Sequence, residues 1–165
     1  MSKQKNQYFK QEIYFFNRIF MVSFILLSIL CLWLIIQQPS IPLVILLFII
    51  LSFPLLFGKM VITVKHKELR VAFGYTGLIK KRIPLIDIVS SEIVTYKPIR
   101  DFGGWGIRCG RFRGEKTGCL SLKGNQGVLL TLMTRKKFCI VKTNKLIIGS
   151  QDSQKLIAAI GKGIV

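Results

Sequence analysis

Negative charge is scarce in this sequence. Only seven Asp and Glu stand against 25 Lys and Arg in 165 residues, which gives a formal charge of +18. A chain this basic attracts anionic partners over long range, and phospholipid headgroups and nucleic acids are the obvious classes. We expect no nucleic acid, because the predicted strands lack the interleaved aromatic side chains on which bases stack.

Residue types that carry catalysis are equally scarce. The single histidine, His66, falls in a predicted turn, and the acidic residues are dispersed along the chain. No Ser-His-Asp, Cys-His or metal-ligating constellation is recognisable. The sequence therefore predicts a protein that is not an enzyme, with no catalytic residues, no metal and no cofactor.

Closely spaced cysteines are also absent. The four cysteines lie at positions 31, 109, 119 and 139, with no Cys-x-x-Cys pair among them. This spacing excludes the usual zinc ligand sets and gives no indication of a disulfide framework. We expect Cys109, Cys119 and Cys139 to be reduced thiols that pack as small apolar residues.

Hydrophobic residues make up 51% of the chain and are concentrated in two uncharged runs, 19–36 and 41–57. At about 1.5 Å per residue each run reaches roughly 25–27 Å, close to the roughly 30 Å hydrocarbon core of a bilayer. The short connection between them permits only an antiparallel arrangement. We expect an α-helical transmembrane hairpin over 19–57, preceded by a cytoplasmic N-terminal segment, 1–18, and followed by a cytoplasmic domain, 58–165.

Basic residues flank the two runs on their outer sides and are absent from the connection. Cytoplasmic flanks of membrane helices accumulate Lys and Arg. A cleaved leader is disfavoured because no small-x-small cleavage site follows the first run. We therefore expect a multi-pass protein of the bacterial inner (plasma) membrane with both termini cytoplasmic. The flanking basic residues are Lys3, Lys5, Lys10, Arg18, Lys59, Lys65, Lys67 and Arg70.

The region after the runs has the alternating pattern of a mainly-β domain. Short β-branched segments separated by turn residues predict roughly seven strands, and 151–162 has a helix signature with Asp152 or Ser153 as its cap. Residues 98–118 contain six glycines, so we expect mostly loop or irregular edge structure there. Together these segments predict a small bent antiparallel sheet or barrel closed by a C-terminal helix.

Three segments of this domain occur in a recognisable order. They are Phe102-Gly103-Gly104-Trp105-Gly106-Ile107-Arg108, then Gly124-Asn125-Gln126-Gly127-Val128 followed by Leu130 and Leu132, then Ile148-Gly149-Ser150-Gln151. Over most of 60–162 the chain resembles a family of uncharacterised bacterial membrane-anchored pleckstrin-homology-like (PH domain-containing) proteins. The resemblance implies a PH-like fold. It implies no ligand, because that fold serves lipid-binding, peptide-binding and scaffolding roles. The segment 134–146 is longer than one hairpin turn, which leaves the pairing of the last strands open.

The candidate binding residues are one aromatic and several basic side chains. Trp105 is either an exposed docking residue or a core side chain flanked by glycines. Arg108 either binds an anion or forms a salt bridge with Asp101 or Glu92. The remaining candidates are basic clusters, of which the one at 80–82 lies in a predicted strand, 78–83, and the one at 135–137 in a predicted turn: Lys80, Lys81, Arg82, Arg111, Arg113, Arg135, Lys136 and Lys137.

These features predict a non-catalytic PH-like interaction or scaffold module anchored at the cytoplasmic face of the inner membrane. The expected partners are the lipids around the two spans and either a membrane protein or a second copy of the chain. The alternative is a sensor that binds an anionic phospholipid headgroup or a small ligand through a basic face, with Trp105, Arg108 and the 135–137 cluster as its contacts.

Overall fold

The structure is a computed structural model that describes residues 7–15, 18–65, 67–77, 79–138 and 141–164. His66 and Cys139 therefore lie outside the described residues. Within these ranges the chain forms two β-sheets, four α-helices and one short 3-10 helix. In chain order the elements are β1 (Gln7–Tyr14), α1 (Arg18–Gln37), α2 (Ile41–Phe57), β2 (Lys59–Lys65), β3 (Glu68–Phe73), β4 (Ile79–Pro84), the 3-10 helix (Leu85–Asp87), β5 (Ile88–Thr95), α3 (Pro98–Phe102), β6 (Gly106–Phe112), β7 (Glu115–Ser121), β8 (Gln126–Phe138), β9 (Val141–Gly149) and α4 (Ser153–Ile164).

The first sheet is an antiparallel meander of β1, β2, β3 and β4 in sequence order. Buried side chains alternate with more exposed ones along β2 and β3, because every second side chain of a strand points to the same face. Met60, Ile62 and Val64 of β2 are fully buried on the inner face, and Leu69 and Val71 of β3 lie beside them. The outer face carries the charged residues, so the first sheet has one core side and one open side.

The first strand lies in the segment that we expected to be a separate N-terminal piece. β1 pairs with β2 from Gln7 to Tyr14, and the Phe15 amide continues the ladder by donating to the Gly58 carbonyl at 3.1 Å. Helices α1 and α2 therefore form an insertion between two paired strands, and both ends of this helical hairpin meet at one end of the first sheet.

The expected transmembrane hairpin is wrong. Among the helices in the described part of the chain, none has the length and apolar character needed to cross a membrane. Helix α2 has 17 residues, and at about 1.5 Å per residue it falls short of the roughly 30 Å hydrocarbon core. The transmembrane part of the expected fold, and with it the multi-pass inner-membrane localisation, is overturned by this finding.

The second sheet has the order β5-β8-β9-β7-β6. Strand β9 lies between β7 and β8, and it is parallel to β7 over residues 118–120 and 146–148. The expectation of a purely antiparallel sheet is wrong at this pair. The bend before β8 covers 122–125, so the second half of the expected turn at 124–127 already belongs to β8. The strands on the two sides of this bend do not pair with each other, because β9 occupies the position between them.

Two further expectations from the sequence are wrong. Residues 98–118 are not mostly loop or irregular edge structure, because α3, β6 and most of β7 lie there and β6 pairs regularly with β7. Arg135, Lys136 and Lys137 are not in a turn, because β8 continues to Phe138 and pairs with β9 beyond a bulge between Thr131 and Lys136.

The main core lies between the two sheets and is closed by α4. Leu156 and Ile160 of α4 pack against inward-facing residues of both sheets. A polar network joins this helix to β1: the Ser150 hydroxyl donates to Gln11 Oε1 at 2.6 Å, and the Asp152 amide donates to the Ser150 hydroxyl at 3.2 Å. The C-terminal helix was expected over 151–162, and the structure places it at Ser153–Ile164.

A smaller core lies on the other side of the second sheet, beneath α3. Tyr96 and Phe102 meet edge to face with ring centroids 5.9 Å apart, and Cys119, Leu129 and Ile147 complete the cluster. The second sheet is therefore covered on both faces, whereas the first sheet is covered on one.

Candidate ligand-binding surfaces

The open side of the first sheet carries a basic surface. Strand pairing places Lys10, Thr63, Arg70 and Arg82 in one row across the four strands, and Lys80 lies one row away, opposite Ala72. Lys10, Lys80 and Arg82 are exposed, and Arg70 is half-buried. We call the side chains of Lys10, Arg70, Lys80 and Arg82 the basic face.

Two carboxylates neutralise part of the surrounding charge. Glu12 forms ion pairs with Lys10 at 2.7 Å and Lys59 at 2.6 Å, and Glu68 pairs with Arg70. Hydrogen bonds from Lys10, Lys59 and Tyr14 lower the pKa of Glu12 to about 2, and the Glu12 carboxylate raises the pKa of Lys59. In the described part of the chain, no carboxylate forms an ion pair with Lys80 or Arg82. These two cations are therefore available to an anionic partner.

The structure divides the basic cluster at 80–82. Lys81 points to the side opposite Lys80 and Arg82, and its ammonium lies 5.2 Å from the centre of the Phe138 ring. This contact brings β4 next to the end of β8, so the clusters at 80–82 and 135–137 are neighbours. Arg135 is exposed there.

The basic residues of β6 and its turn do not join the basic face. Arg113 forms an ion pair with Glu92 at 3.0 Å and lies over the Phe112 ring. Arg111 is exposed on β6, an edge strand of the second sheet. The expected set of basic residues is thus distributed over more than one surface.

Trp105 is a half-exposed side chain fixed by a hydrogen bond. The indole is 38% exposed, and its Nε1–H donates to the Gly124 carbonyl at 3.1 Å. The glycines on both sides have positive φ angles, 128° for Gly104 and 107° for Gly106, a region that other residues rarely adopt. The glycines are therefore explained by backbone conformation, and the side chain is neither fully buried nor free.

The three segments of the family resemblance meet at this end of the second sheet. Trp105 contacts the Gly124 segment, and the Ser150 amide donates to the Gln126 carbonyl at 3.2 Å. A Cβ on Gly127 would lie 2.5 Å from the Ile148 carbonyl oxygen, which is too close for any other residue type. The sequence order of these segments thus corresponds to one packed region.

A cavity of about 500 Å³ lies beside Trp105. Its walls come from the end of β1, β4, β6 and the residue after β7, at the base of the helical hairpin. The main lining residues are Phe15, Ile79, Trp105, Ile107, Arg108 and Leu122. Most of this lining is apolar, and Arg108 is its charged residue. A cavity of this size and composition is typical of small-molecule sites.

Arg108 has neither of the salt bridges that the sequence suggested. Asp101 pairs with Arg100 at 3.1 Å and accepts a hydrogen bond from the Lys97 amide at 2.8 Å, while Glu92 pairs with Arg113. The hydrogen bond from the Lys97 amide, together with the contact with Arg100, lowers the pKa of Asp101. The Arg108 Nε–H donates to the Trp105 carbonyl at 3.3 Å. No carboxylate of the described residues forms an ion pair with Arg108.

A cluster of three hydroxyl or thiol groups is buried beneath α3, but its chemistry is unfavourable for nucleophilic attack. The Cys119 thiol lies 3.5 Å from the Ser121 hydroxyl, and burial raises its pKa to about 12. Burial also raises the pKa of Tyr96 to about 12. Because the thiolate is the reactive form of cysteine, this thiol is held in its unreactive state.

Several residues of the basic face and of the cavity beside Trp105 were not predicted from the sequence, because they lie far apart in the chain. Arg70 was considered only as a flank of a membrane helix, and Phe15, Ile79 and Leu122 were not considered as binding residues. The alternation of β3 and β4 could have placed Arg70 beside Arg82 once their pairing was assumed. No signal in the sequence places Phe15 and Leu122 at the same cavity, because their positions depend on the order of strands in two sheets.

Compared with protein-family models, with curated proteins and with solved structures, this chain matches none. The resemblance to PH-like proteins therefore stays a prediction.

Proposed function

We propose that this chain is a non-catalytic interaction module whose basic face binds the anionic headgroups of phospholipids. The observation that supports the proposal is the position of Arg70 directly opposite Arg82, with Lys10 and Lys80 on the same open side of the sheet. Like charges directly opposite each other destabilise a sheet. Glu68 offsets part of this repulsion by pairing with Arg70. An anionic ligand that contacts both guanidinium groups removes the rest, and arginine binds phosphate oxygens in a two-pronged geometry.

The size of the expected effect follows from the number of charges. A Lys or Arg near an anionic lipid surface contributes about 1 kcal/mol, and the attraction decays over a Debye length of about 8–10 Å. Lys80 and Arg82, which form no ion pair with a described carboxylate, therefore supply about 2 kcal/mol, or about thirtyfold in affinity. Lys10 and Arg70 contribute less, because Glu12 and Glu68 already pair with them. Such a contribution is large enough to measure and small enough to be weakened by salt.

The ion pairs formed by the acidic residues support a function without catalysis. Among the described residues, six carboxylates engage in ion pairs with basic side chains, namely Glu12, Glu68, Glu92, Asp101, Glu115 and Asp152. General acid–base catalysis needs a carboxyl group that can reach a substrate. The paired carboxylates are poorly suited to that role.

Binding of the full-length chain to lipid vesicles tests this proposal. We expect the chain to bind phosphatidylcholine vesicles that contain phosphatidylglycerol more strongly than pure phosphatidylcholine vesicles, and the difference to shrink as salt is added. A preference for one anionic headgroup over another of equal charge would identify a sensor. Equal binding to both kinds of vesicle, or no binding at low salt, would contradict the proposal.

The helical hairpin favours a second function, association with another copy of the chain. Ile36, Ile41 and Phe48 are 73%, 77% and 73% exposed, and exposed apolar side chains occur on both helices. Large contiguous apolar surfaces mark interaction sites. Residues 19–57 carry no charge, so two hairpins can approach each other without the repulsion that two basic strands would cause.

Sedimentation of the full-length chain tests this second function. We expect a dimer or larger oligomer that becomes smaller in the double variant Ile41→Ser/Phe48→Ser. The double variant Ile86→Ser/Val89→Ser, which changes two exposed apolar residues outside the hairpin, is the matched control and should keep the wild-type mass. A monomeric wild type would overturn self-association. A hairpin that is covered by added lipid and not by a second copy of the chain would do the same.

A further inference from the structure

The cavity beside Trp105 has mostly apolar walls and one charged lining residue, Arg108. Its walls include Ile79 from the first sheet and Ile107 from the second, so it lies at the seam between the two sheets. Leu122 is buried beneath it and Phe15 borders it at the base of the helical hairpin. Binding pockets combine mostly apolar walls with a few polar groups that fix the orientation of the ligand. Here Arg108 is the group suited to that task.

The backbone carbonyl of Trp105, a residue of the cavity wall, positions Arg108. Its Nε–H donates to the Trp105 carbonyl, and the indole of Trp105 is itself held by the Gly124 carbonyl. The sequence suggested Asp101 and Glu92 as partners of Arg108. These two carboxylates form ion pairs with Arg100 and Arg113 instead. Arg108 therefore presents guanidinium donors that no carboxylate of the described chain uses.

We propose that this cavity binds an amphiphile with one anionic group, a carboxylate or a phosphate, attached to an apolar chain. The anionic group contacts Arg108, and the chain occupies the space between Trp105, Ile79 and Ile107. A charge-assisted contact with arginine fixes the head of the ligand, and burial of the chain supplies about 0.8 kcal/mol for each methylene group. This site shares no residue with the basic face, so it is separate from the proposed headgroup surface.

Fluorescence of Trp105 in the full-length chain gives a local test. The sequence has two tryptophans, so Trp33→Phe leaves Trp105 as the only one. In this background four probes are titrated below the concentrations at which they aggregate: decyl phosphate, decanoate, decanol and inorganic phosphate. We expect a saturable change in emission with decyl phosphate, decanoate or both, and a weak response or none with decanol and inorganic phosphate. A comparison of the affinities for decyl phosphate and decanoate distinguishes a phosphate ligand from a carboxylate ligand.

Two arginine variants separate recognition from general charge. Arg108→Gln should weaken binding of the preferred amphiphile at least about tenfold, because a hydrogen bond to a charged group contributes about 1.5–3 kcal/mol. Arg111→Gln removes an exposed charge from the same strand outside the cavity and should leave the affinity unchanged. Near-ultraviolet circular dichroism checks that each variant keeps the native packing.

Several results would overturn the proposal. Decanol that binds as tightly as decyl phosphate would show that Arg108 has no part in recognition, and so would an Arg108→Gln variant of unchanged affinity. A response to inorganic phosphate alone would indicate a site for free anions. No saturable response to any probe would show that the cavity is not a binding site. None of these results bears on vesicle binding by the basic face, which is measured separately.

Discussion

Arg70 on β3 and Arg82 on β4 lie directly opposite each other on the open side of the first sheet. Because opposed like charges cost a sheet stability, we expect Arg82→Glu to raise the free energy of unfolding by about 0.2–1 kcal/mol. Urea denaturation measures this change. Lys80→Glu is the matched control, because Lys80 lies opposite Ala72 and its replacement relieves no opposed pair. An Arg82→Glu variant less stable than Lys80→Glu would contradict the pairing.

The packing of β6 against α3 predicts opposite effects at two glycines. A Cβ on Gly110 would lie 2.0 Å from the Asp101 carbonyl oxygen and 2.8 Å from the Phe102 ring. Gly110→Ala should therefore destabilise the fold by about 1–3 kcal/mol through overpacking. Gly161 lies in α4 with no atom within 4 Å of an added Cβ, so Gly161→Ala should stabilise the chain by up to about 1 kcal/mol. Thermal unfolding of both variants checks the difference in sign.

The ion pairs of Glu12 predict a loss of stability in acid. The pKa of Glu12 falls from 4.5 in its ordinary state to about 2 in the folded chain. Between these values the unfolded chain binds more protons than the folded chain, so stability decreases as the pH falls from about 4.5 towards about 2. Glu12→Gln removes this contribution. The difference in melting temperature between wild type and Glu12→Gln should be largest near neutral pH and disappear near pH 2; a difference independent of pH would show that the carboxylate is not bound as described.

The buried thiol of Cys119 should be unreactive in the folded chain. Burial raises its pKa to about 12, so almost no thiolate is present at pH 8. The triple variant Cys31→Ala/Cys109→Ala/Cys139→Ala leaves this thiol alone, and we expect it to react with a disulfide reagent only after denaturant is added. Rapid stoichiometric labelling of the folded variant would contradict the burial of Cys119.

Local patterns in the sequence predicted several elements of the fold. Alternation in β2 and β3 and the apolar face of α4 are local features, since each depends on residues a few positions apart. The parallel pairing of β9 with β7 could not be read in this way, because the turn at 124–127 resembles that of a simple hairpin. Gly118 leaves room for this pairing: a Cβ there would lie 2.5 Å from the Phe138 ring and 3.0 Å from a methyl carbon of Leu146, its partner in β9.

The candidate surfaces were predictable only in part. Trp105 and Arg108 were recognised from one short segment, and they do lie together at a cavity. The cluster at 80–82 was treated as one unit, but successive residues of a strand point to opposite sides, so Lys81 separates from Lys80 and Arg82. Arg70 joins them from a different strand. Which charges share a face thus depends on strand register, which composition does not specify.

The measurement that tests the basic face most directly compares two double variants of equal net charge. Arg70→Gln/Arg82→Gln removes two charges from the basic face, and Arg111→Gln/Lys123→Gln removes two exposed charges associated with the second sheet. Binding of each full-length variant to vesicles containing phosphatidylglycerol is measured at low salt. We expect a loss of about tenfold to a hundredfold for the first variant, from about 1 kcal/mol per charge, and little change for the second. Equal losses in both variants would show that net charge alone decides binding and would contradict a specific basic face.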